Sequence, residues 1–504
     1  MHAMFGACMN LSDLKPLIAA QWDNDILGRL CDYVRVPAKS PAFDAGWEAH
    51  GHLRAVVDSA AAWACAQTSR AGESAVLQGL HLEVLGIEGR TPCIFFELPA
   101  TGGLGQERTV LFYGHLDKQP EMDGWRADLG PWKPVIESGR LYGRGSADDG
   151  YAIYASLAAL AALDRQGVPR PRCVGLIETC EESGSPDLPH YLQCLGARLG
   201  DVGLVIGLDS GCGNYEQLWV TTSLRGLIGG ALSVEILDEG VHSGNASGIV
   251  PSSFRIARKL LNRIDDVDTG RVLAEVFHAQ IPAERLSQAE RAGAILGDAV
   301  WKQFPWVSCT HAPAAHAQAC MSALPVTTDP VEAILQRTWR PALSVTGAAS
   351  LPALEMAGNV LRPKTVLKLS LRLPPTVDGE KATAELKRML EEDPPYRARV
   401  RFDPDWAASG WNAPPLKPSF ARLLDACSME SYGRPAAYMG EGGTIPFMNM
   451  LGAQFPQAQF LITGVLGPQS NAHGPNEFLH LEYAKALTCL ISGVVARVTF
   501  GANA

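Results

Sequence analysis

The sequence predicts an α/β protein: a mostly parallel sheet covered by helices on both faces, with a smaller α+β layer inserted into it. Three observations carry this prediction. Strand-like apolar runs alternate with helix-like ones, the pattern of a sheet built from βαβ units. Several of those runs end abruptly in acids or histidines, as strands do at the carboxyl edge of such a sheet. These polar ends cluster at 115–209 and recur only at 473, with a differently patterned segment between them.

The first such run is Val110-Leu-Phe-Tyr-Gly-His-Leu-Asp117, which delivers His115 and Asp117. Leu141-Tyr-Gly-Arg-Gly-Ser-Ala-Asp-Asp-Gly150 then sets Asp148 and Asp149 at the end of a glycine-rich loop, before the helix-like run from Tyr151 to Leu163. Val174-Gly-Leu-Ile-Glu-Thr-Cys-Glu-Glu-Ser-Gly184 ends in adjacent carboxylates, Glu181 and Glu182, and Leu204-Val-Ile-Gly-Leu-Asp209 ends in Asp209. Near the carboxyl end, Phe460-Leu-Ile-Thr-Gly464 leads through a loop into Asn471-Ala-His473-Gly-Pro-Asn476-Glu477.

One acid at a strand end serves equally well as a helix cap or a turn residue. Acid and imidazole groups at successive sheet edges call for more than turns. Two histidines and three carboxylates suit two divalent ions, because imidazole and carboxylate ligate zinc without any thiolate. One shared carboxylate can hold two ions about 3.5–4 Å apart, the spacing of co-catalytic hydrolase sites. The paired glutamates suggest a division of labour, in which one acid is pinned as a ligand and its neighbour stays free to take a proton.

The intervening segment reads differently. Ser223-Leu-Arg-Gly-Leu-Ile-Gly-Gly-Ala-Leu-Ser-Val-Glu-Ile236 is strand-like, Ser253 to Ile264 helix-like, and 304–352 an irregular stretch rich in Ala, Pro and Thr. Leu367-Lys-Leu-Ser-Leu-Arg-Leu373 alternates as a half-buried strand should, Gly379 to Glu392 has helical periodicity, and Arg397-Ala-Arg-Val-Arg-Phe402 alternates again. The expected division is therefore 1–220 and 408–504 for one discontinuous domain and 221–407 for the insertion.

Composition agrees. The 504 residues exceed what one core usually holds, so two domains are expected. No stretch approaches the roughly 20 apolar residues of a membrane span, and a net charge of −10 argues against nucleic acid as a partner. Twelve cysteines lie scattered without a CxxC pair, which speaks against a disulfide framework. The first ten residues lack the basic and apolar regions of a secretory signal, so the expected location is cytoplasmic. Gly143-Arg-Gly145 and Gly211-Cys-Gly213 do not complete a dinucleotide-binding spacing. His311 and His316 fall in the irregular stretch and read as solvated, while His480 reads as the packed start of the last helix.

Tyr113-Gly-His-Leu-Asp117, Gly143-Arg-Gly-Ser-Ala-Asp-Asp149, Glu181-Glu182, His242-Ser-Gly244, Glu441-Gly-Gly-Thr-Ile-Pro446 and Ala472-His473 occur in that order along nearly the whole chain. Together they resemble the di-zinc exopeptidase family that includes carnosinase, cytosolic non-specific dipeptidase, glutamate carboxypeptidase, aminoacylase and succinyl-diaminopimelate desuccinylase. The resemblance implies the di-zinc exopeptidase fold and two divalent metal ions, zinc first and manganese second. His115 and Asp209 would hold one ion, Glu182 and His473 the other, with Asp148 shared. Asp117 would orient His115, Glu181 would be the general base, and a cis peptide would join Asp148 to Asp149. The family usually has Lys, or Asn and Lys, after this acid, whereas Gly150 and Tyr151 stand here.

The same resemblance makes the insertion a lid that builds a homodimer. Its His242 would stabilise the oxyanion, reaching into the neighbouring subunit's site, while Arg372, Gly443 and Thr444 would hold the α-carboxylate of a small peptide substrate. Family members with Asp at the position of Asp209 tend to be aminopeptidases or dipeptidases, which points to dipeptides with both ends free. Two alternatives stand beside this reading. One is a deacylase or carboxypeptidase acting on N-acyl or N-carbamoyl amino acids; the other is an inactive metal-binding scaffold, against which the intact Glu181 argues.

Overall fold

The computed structural model describes residues 11–68, 76–106, 108–307 and 323–500, so His311 and His316 lie outside the described residues. The chain forms two compact units, one of 1–221, 413–439 and 450–504, the other of 222–412 and 440–449. The sequence pattern assigns 440–449 to the closing stretch of the discontinuous domain, whereas the structure groups these residues with the second unit.

The first unit is built on a six-stranded sheet. Its order is His81–Leu85, Cys93–Leu98, Arg172–Glu178, Arg108–His115, Asp201–Gly207 and Gln459–Ile462. The last four run parallel; at one edge Cys93–Leu98 pairs antiparallel with Arg172–Glu178, and His81–Leu85 pairs antiparallel with Cys93–Leu98. Arg108–His115 is buried from Thr109 onward, as a central parallel strand covered on both faces must be, and this accounts for its unbroken apolar run. Registers align the strand ends: His115 sits opposite Glu178, Tyr113 opposite Gly207, and Ile462 opposite Gly207. The residues that follow each strand therefore emerge along one edge.

Asp148 reaches that edge differently. The short hairpin Val135–Glu137 and Arg140–Tyr142 leads into a loop, and the helix Ala152–Arg165 then packs on the Arg108–His115 strand. That helix is buried from Ala152 through Leu163, which suits its all-round apolar, alanine-rich sequence. Gly114 permits the close approach, because a Cβ there would lie 2.7 Å from the Ala152 Cβ and 2.8 Å from an Asp149 carboxylate oxygen. Leu481–Arg497, Leu11–Gln21 and Pro418–Tyr432 complete the helical packing. His480 caps the last helix, its side chain accepting from the Tyr483 amide. Among the described residues no helix is long and apolar enough to cross a membrane, and the nine described cysteines are all free.

The second unit carries a four-stranded antiparallel sheet in the order Ala342–Ala349, Lys364–Leu373, Gly226–Glu235 and Arg399–Ala408. Lys364–Leu373 alternates as its sequence predicts, burying Thr365, Leu367, Leu369, Leu371 and Leu373. These leucines join Ile228, Leu232, Ile256, Leu260, Leu386 and Phe402 in a core that the helices Ser253–Leu261 and Gly379–Glu391 help to close. The stretch 304–352, expected to be irregular, contains the helix Pro330–Thr338 and the edge strand Ala342–Ala349. Asp329 caps that helix with proline at its first position, a start signal the Ala- and Pro-rich composition obscured.

Candidate active site

Two groups of donor atoms form at the carboxyl edge of the first unit's sheet. His115, Asp148 and Asp209 make one, Asp148, Glu182 and His473 the other, and within each group the donor atoms lie within 4.8 Å of one another. Asp148 gives one oxygen to each. His115 Nε2 lies 3.2 Å from Asp148 Oδ1 and 3.8 Å from Asp209 Oδ2, while His473 Nε2 lies 2.9 Å from Asp148 Oδ2 and 3.4 Å from Glu182 Oε2. A pair of divalent ions fits this arrangement: the donors are imidazole nitrogens and carboxylate oxygens, and they converge in two sets joined by one shared acid.

The electrostatics ask for cations. Burial pushes Glu182 up to about 8 and Asp209 up to about 6, and it raises Glu181 with the Asp209 charge adding to the effect. Burial opposes ionisation of Asp148 as well, but its bonds to His115 and His473 prevail and hold it below the usual carboxylate range. A cation among these acids would remove the penalty that burial places on their charge.

Asp117 fixes the geometry around His115. Its Oδ1 accepts from the Glu181 amide at 3.1 Å and its Oδ2 from the Glu182 amide at 3.0 Å, so one carboxylate clamps the short helical turn Glu181–Ser183. His115 Nδ1 lies 3.1 Å from the Asp117 carbonyl and 3.4 Å from Oδ1, oxygens that can only accept, so Nδ1 carries a proton and Nε2 is turned toward Asp148 and Asp209. The Glu181 carboxylate belongs to neither donor group. Asp149 follows a cis peptide from Asp148, and its Oδ2 accepts from the His115 amide at 3.3 Å.

Three further residues escaped sequence reasoning. Arg144 pairs with Glu477 at 2.7 Å, both fully buried, and donates to the carbonyls of His473 at 3.0 Å and Gly474 at 2.8 Å. Glu477 in turn accepts from the amides of Ala147 at 3.2 Å and Asp148 at 3.3 Å. This pair therefore ties the loop bearing Asp148 to the loop bearing His473, whose backbone is held at a positive φ of 64°. Lys118, buried beside Asp117, donates to the carbonyls of Tyr33 and Val36 near the end of the helix Leu27–Arg35. All three stand in or beside the quoted motifs, but an arginine between glycines carries no sign of the carbonyls it will meet.

The second unit holds the remaining expected residues. Arg372 Nη1 donates to the Thr444 hydroxyl at 3.0 Å, and Gly443 has open space where a Cβ would stand. His242 lies apart from them on the two-residue strand Val241–His242, exposed, with Nδ1 accepting from the Gly244 amide.

The sequence profile described as Peptidase family M20/M25/M40 matches residues 111–497, well over half of the chain. The chain belongs to this family. Among relatives, a cysteinylglycine-S-conjugate dipeptidase of Corynebacterium striatum is 25% identical over 401 residues, 77% of this chain and 82% of that protein. The Cys-Gly metallodipeptidase DUG1 of Saccharomyces cerevisiae is 25% identical over 468 residues, 88% of each chain. The crystal structure of human carnosine dipeptidase 1 shares the fold of this M20 chain with a TM-score of 0.75 at 19% identity, covering 97% of this chain and 99% of that one.

The clamp made by Arg144 and Glu477 predicts a measurable effect on ion binding. Glu477→Gln keeps the volume but removes the charge, and divalent-ion affinity measured by calorimetry should fall about 10–100-fold, as for other changes behind a ligand. Unchanged affinity in a folded variant would show that the clamp does not set ligand geometry.

Proposed function

We propose that this M20 peptidase is a metal-dependent dipeptidase that cleaves short peptides with free amino and carboxyl ends. The observation that carries this reading is a pair of donor groups sharing Asp148 beside a buried carboxylate, Glu181, that is committed to neither. The dipeptidase names of its relatives support the same substrate class.

His115, Asp148, Asp209, Glu182 and His473 would hold two divalent ions, zinc first and manganese second. When bound, such ions polarise a carbonyl and make water easier to deprotonate near neutral pH. Glu181 takes the proton of the attacking water and hands it to the departing amine. Its main-chain amide is held by the Asp117 clamp, which fixes where the side chain starts. In the second unit His242 donates to the oxyanion, and Arg372, held by Thr444 beside the open Gly443, grips the free α-carboxylate, a task suited to a planar two-point donor. Free cysteines, without a disulfide among the described residues, suit a reducing cytoplasm.

A homodimer through the second unit fits the character of its sheet edges. Arg399–Ala408 carries Arg399, Arg401, Asp403, Pro404 and Asp405, the charges and proline that discourage edge pairing. Ala342–Ala349 has no charged residue, and its Val345 is 47% exposed.

Hydrolysis of a matched set by the metal-loaded protein tests the main reading: a free dipeptide, its N-acetyl form, its C-terminal amide and the corresponding tripeptide. Selective cleavage of the free dipeptide is expected, and preference for the acetylated form would move the protein to deacylation. Glu181→Ala should retain its ions yet lose about 10³-fold in kcat, within the roughly 10²–10⁴ range of general-base roles; a retained rate would remove Glu181 from that role. Placing a charge on the neutral edge with Val345→Lys should convert a dimer to monomer in light scattering, and a persistent dimer would point to another surface.

A further inference from the structure

The second unit contains a hydrogen-bonded chain that begins at a residue none of the motifs includes. Arg225 stands between the strands Trp219–Leu224 and Gly226–Glu235. Its carbonyl accepts from the Thr444 hydroxyl at 2.7 Å, while its guanidinium donates through Nε to the Gly442 carbonyl at 3.2 Å and through Nη1 to the Gln336 carbonyl at 3.4 Å. A threonine hydroxyl has one proton to give. Because that proton goes to Arg225, Thr444 Oγ1 meets Arg372 as an acceptor, with Arg372 Nη1 donating at 3.0 Å. The hydroxyl thus aims Arg372 instead of offering its proton to a ligand.

The glycine loop is shaped by the same arginine. A Cβ at Gly442 would lie 3.0 Å from the Arg337 carbonyl and 3.1 Å from Arg225 Nη2, tight contacts that glycine avoids and that leave room for the guanidinium. At Gly443 a Cβ would meet nothing within 4 Å, which leaves that side open to a ligand. Charge gathers here too. Burial disfavours the positive charge of Arg225 and of Arg372, and Arg372 and Arg337 disfavour that of Arg225 further, with Glu441 acting in the opposite direction. A carboxylate entering such a cluster gains charge-assisted bonds and relieves the crowding of like charges.

We infer that Arg225 is a positioning residue for recognition of the substrate's free α-carboxylate. Its carbonyl fixes Thr444 and its guanidinium fixes Gly442, so that Arg372 and the open side of Gly443 are set before the substrate arrives. The inference rests on the dipeptidase reading and adds to it a residue that never touches the substrate.

The test uses the full-length, metal-loaded protein with a free dipeptide and its C-terminal amide, comparing Arg225→Met, Arg225→Lys, Thr444→Val and Arg372→Ala. Arg225→Met should raise KM for the free dipeptide at least tenfold with a much smaller change in kcat, and should leave KM for the amide within about twofold, since loosening the Arg372 contact, made equally in the ground and transition states, weakens binding without slowing chemistry. Arg225→Lys keeps the charge but not the several-point hold, and should fall between wild type and Arg225→Met. Thr444→Val removes the aiming hydroxyl at nearly constant shape, so it should reproduce the selective KM increase even if Arg225→Met fails to fold. Equal losses on acid and amide, or no loss on either, would overturn the inference. Arg372→Ala separates the two levels: if it too lacks selectivity for the free acid, the carboxylate reading itself fails, whereas a selective Arg372→Ala beside unselective Arg225 and Thr444 variants defeats only the role given to Arg225.

Discussion

Buried negative charge is the constraint around which the first unit is arranged. Asp117, Asp148, Asp149, Glu178, Glu181, Glu182, Asp209 and Glu477 are each no more than 8% exposed. Isolated carboxylates cannot be stripped of water at tolerable cost, so each needs donors or a counter-charge. Asp117 takes the amides of Glu181 and Glu182, Asp149 the amide of His115, and Glu477 the amides of Ala147 and Asp148 together with Arg144. Glu178 is met by the hydroxyls of Tyr113 and Ser185. Strand ends and the loops after them are where unused main-chain amides are available, which is why the acids gather at that edge of the sheet. Burial raises Glu182 and Asp209 in the groups around His115 and His473, as it raises Asp149, Glu178 and Glu181 beside them, and a pair of cations among the grouped acids would offset part of that cost.

The same constraint governs what the sequence discloses. His115, Asp148, Glu182, Asp209 and His473 are visible because turns and helix caps alone do not place acids and imidazoles at the ends of one apolar run after another. The parallel strands are visible for a related reason: burial on both faces leaves an uninterrupted apolar signature in Arg108–His115 and Asp201–Gly207. Lys364–Leu373 shows its alternation because one face is packed and the other is not.

What stays hidden is long-range and mediated by the main chain. Arg144 and Glu477 are 333 residues apart, and Arg144 works largely by donating to carbonyls, which any sequence supplies. The sharing of Asp148 between two groups is a matter of which oxygen faces which imidazole, and no spacing encodes that. Ala342–Ala349 escapes because an edge strand of small residues, several of them exposed, has too little contrast between its faces. The grouping of 440–449 with the second unit depends on a return of the chain that local pattern cannot show.

The order of the grouped donors along the chain has a consequence for how the protein is made. His115, Asp148 and Asp209 all precede the second unit, whereas His473 follows nearly all of it. The strand Gln459–Ile462, which leads toward His473, must pair with Asp201–Gly207 across more than two hundred intervening residues, a closure that comes late in folding. On the ribosome, one donor group is therefore fully synthesised long before the other, which waits for His473. A nascent chain passes through a stage in which one donor group is complete in sequence, and the second is completed only when synthesis is almost finished.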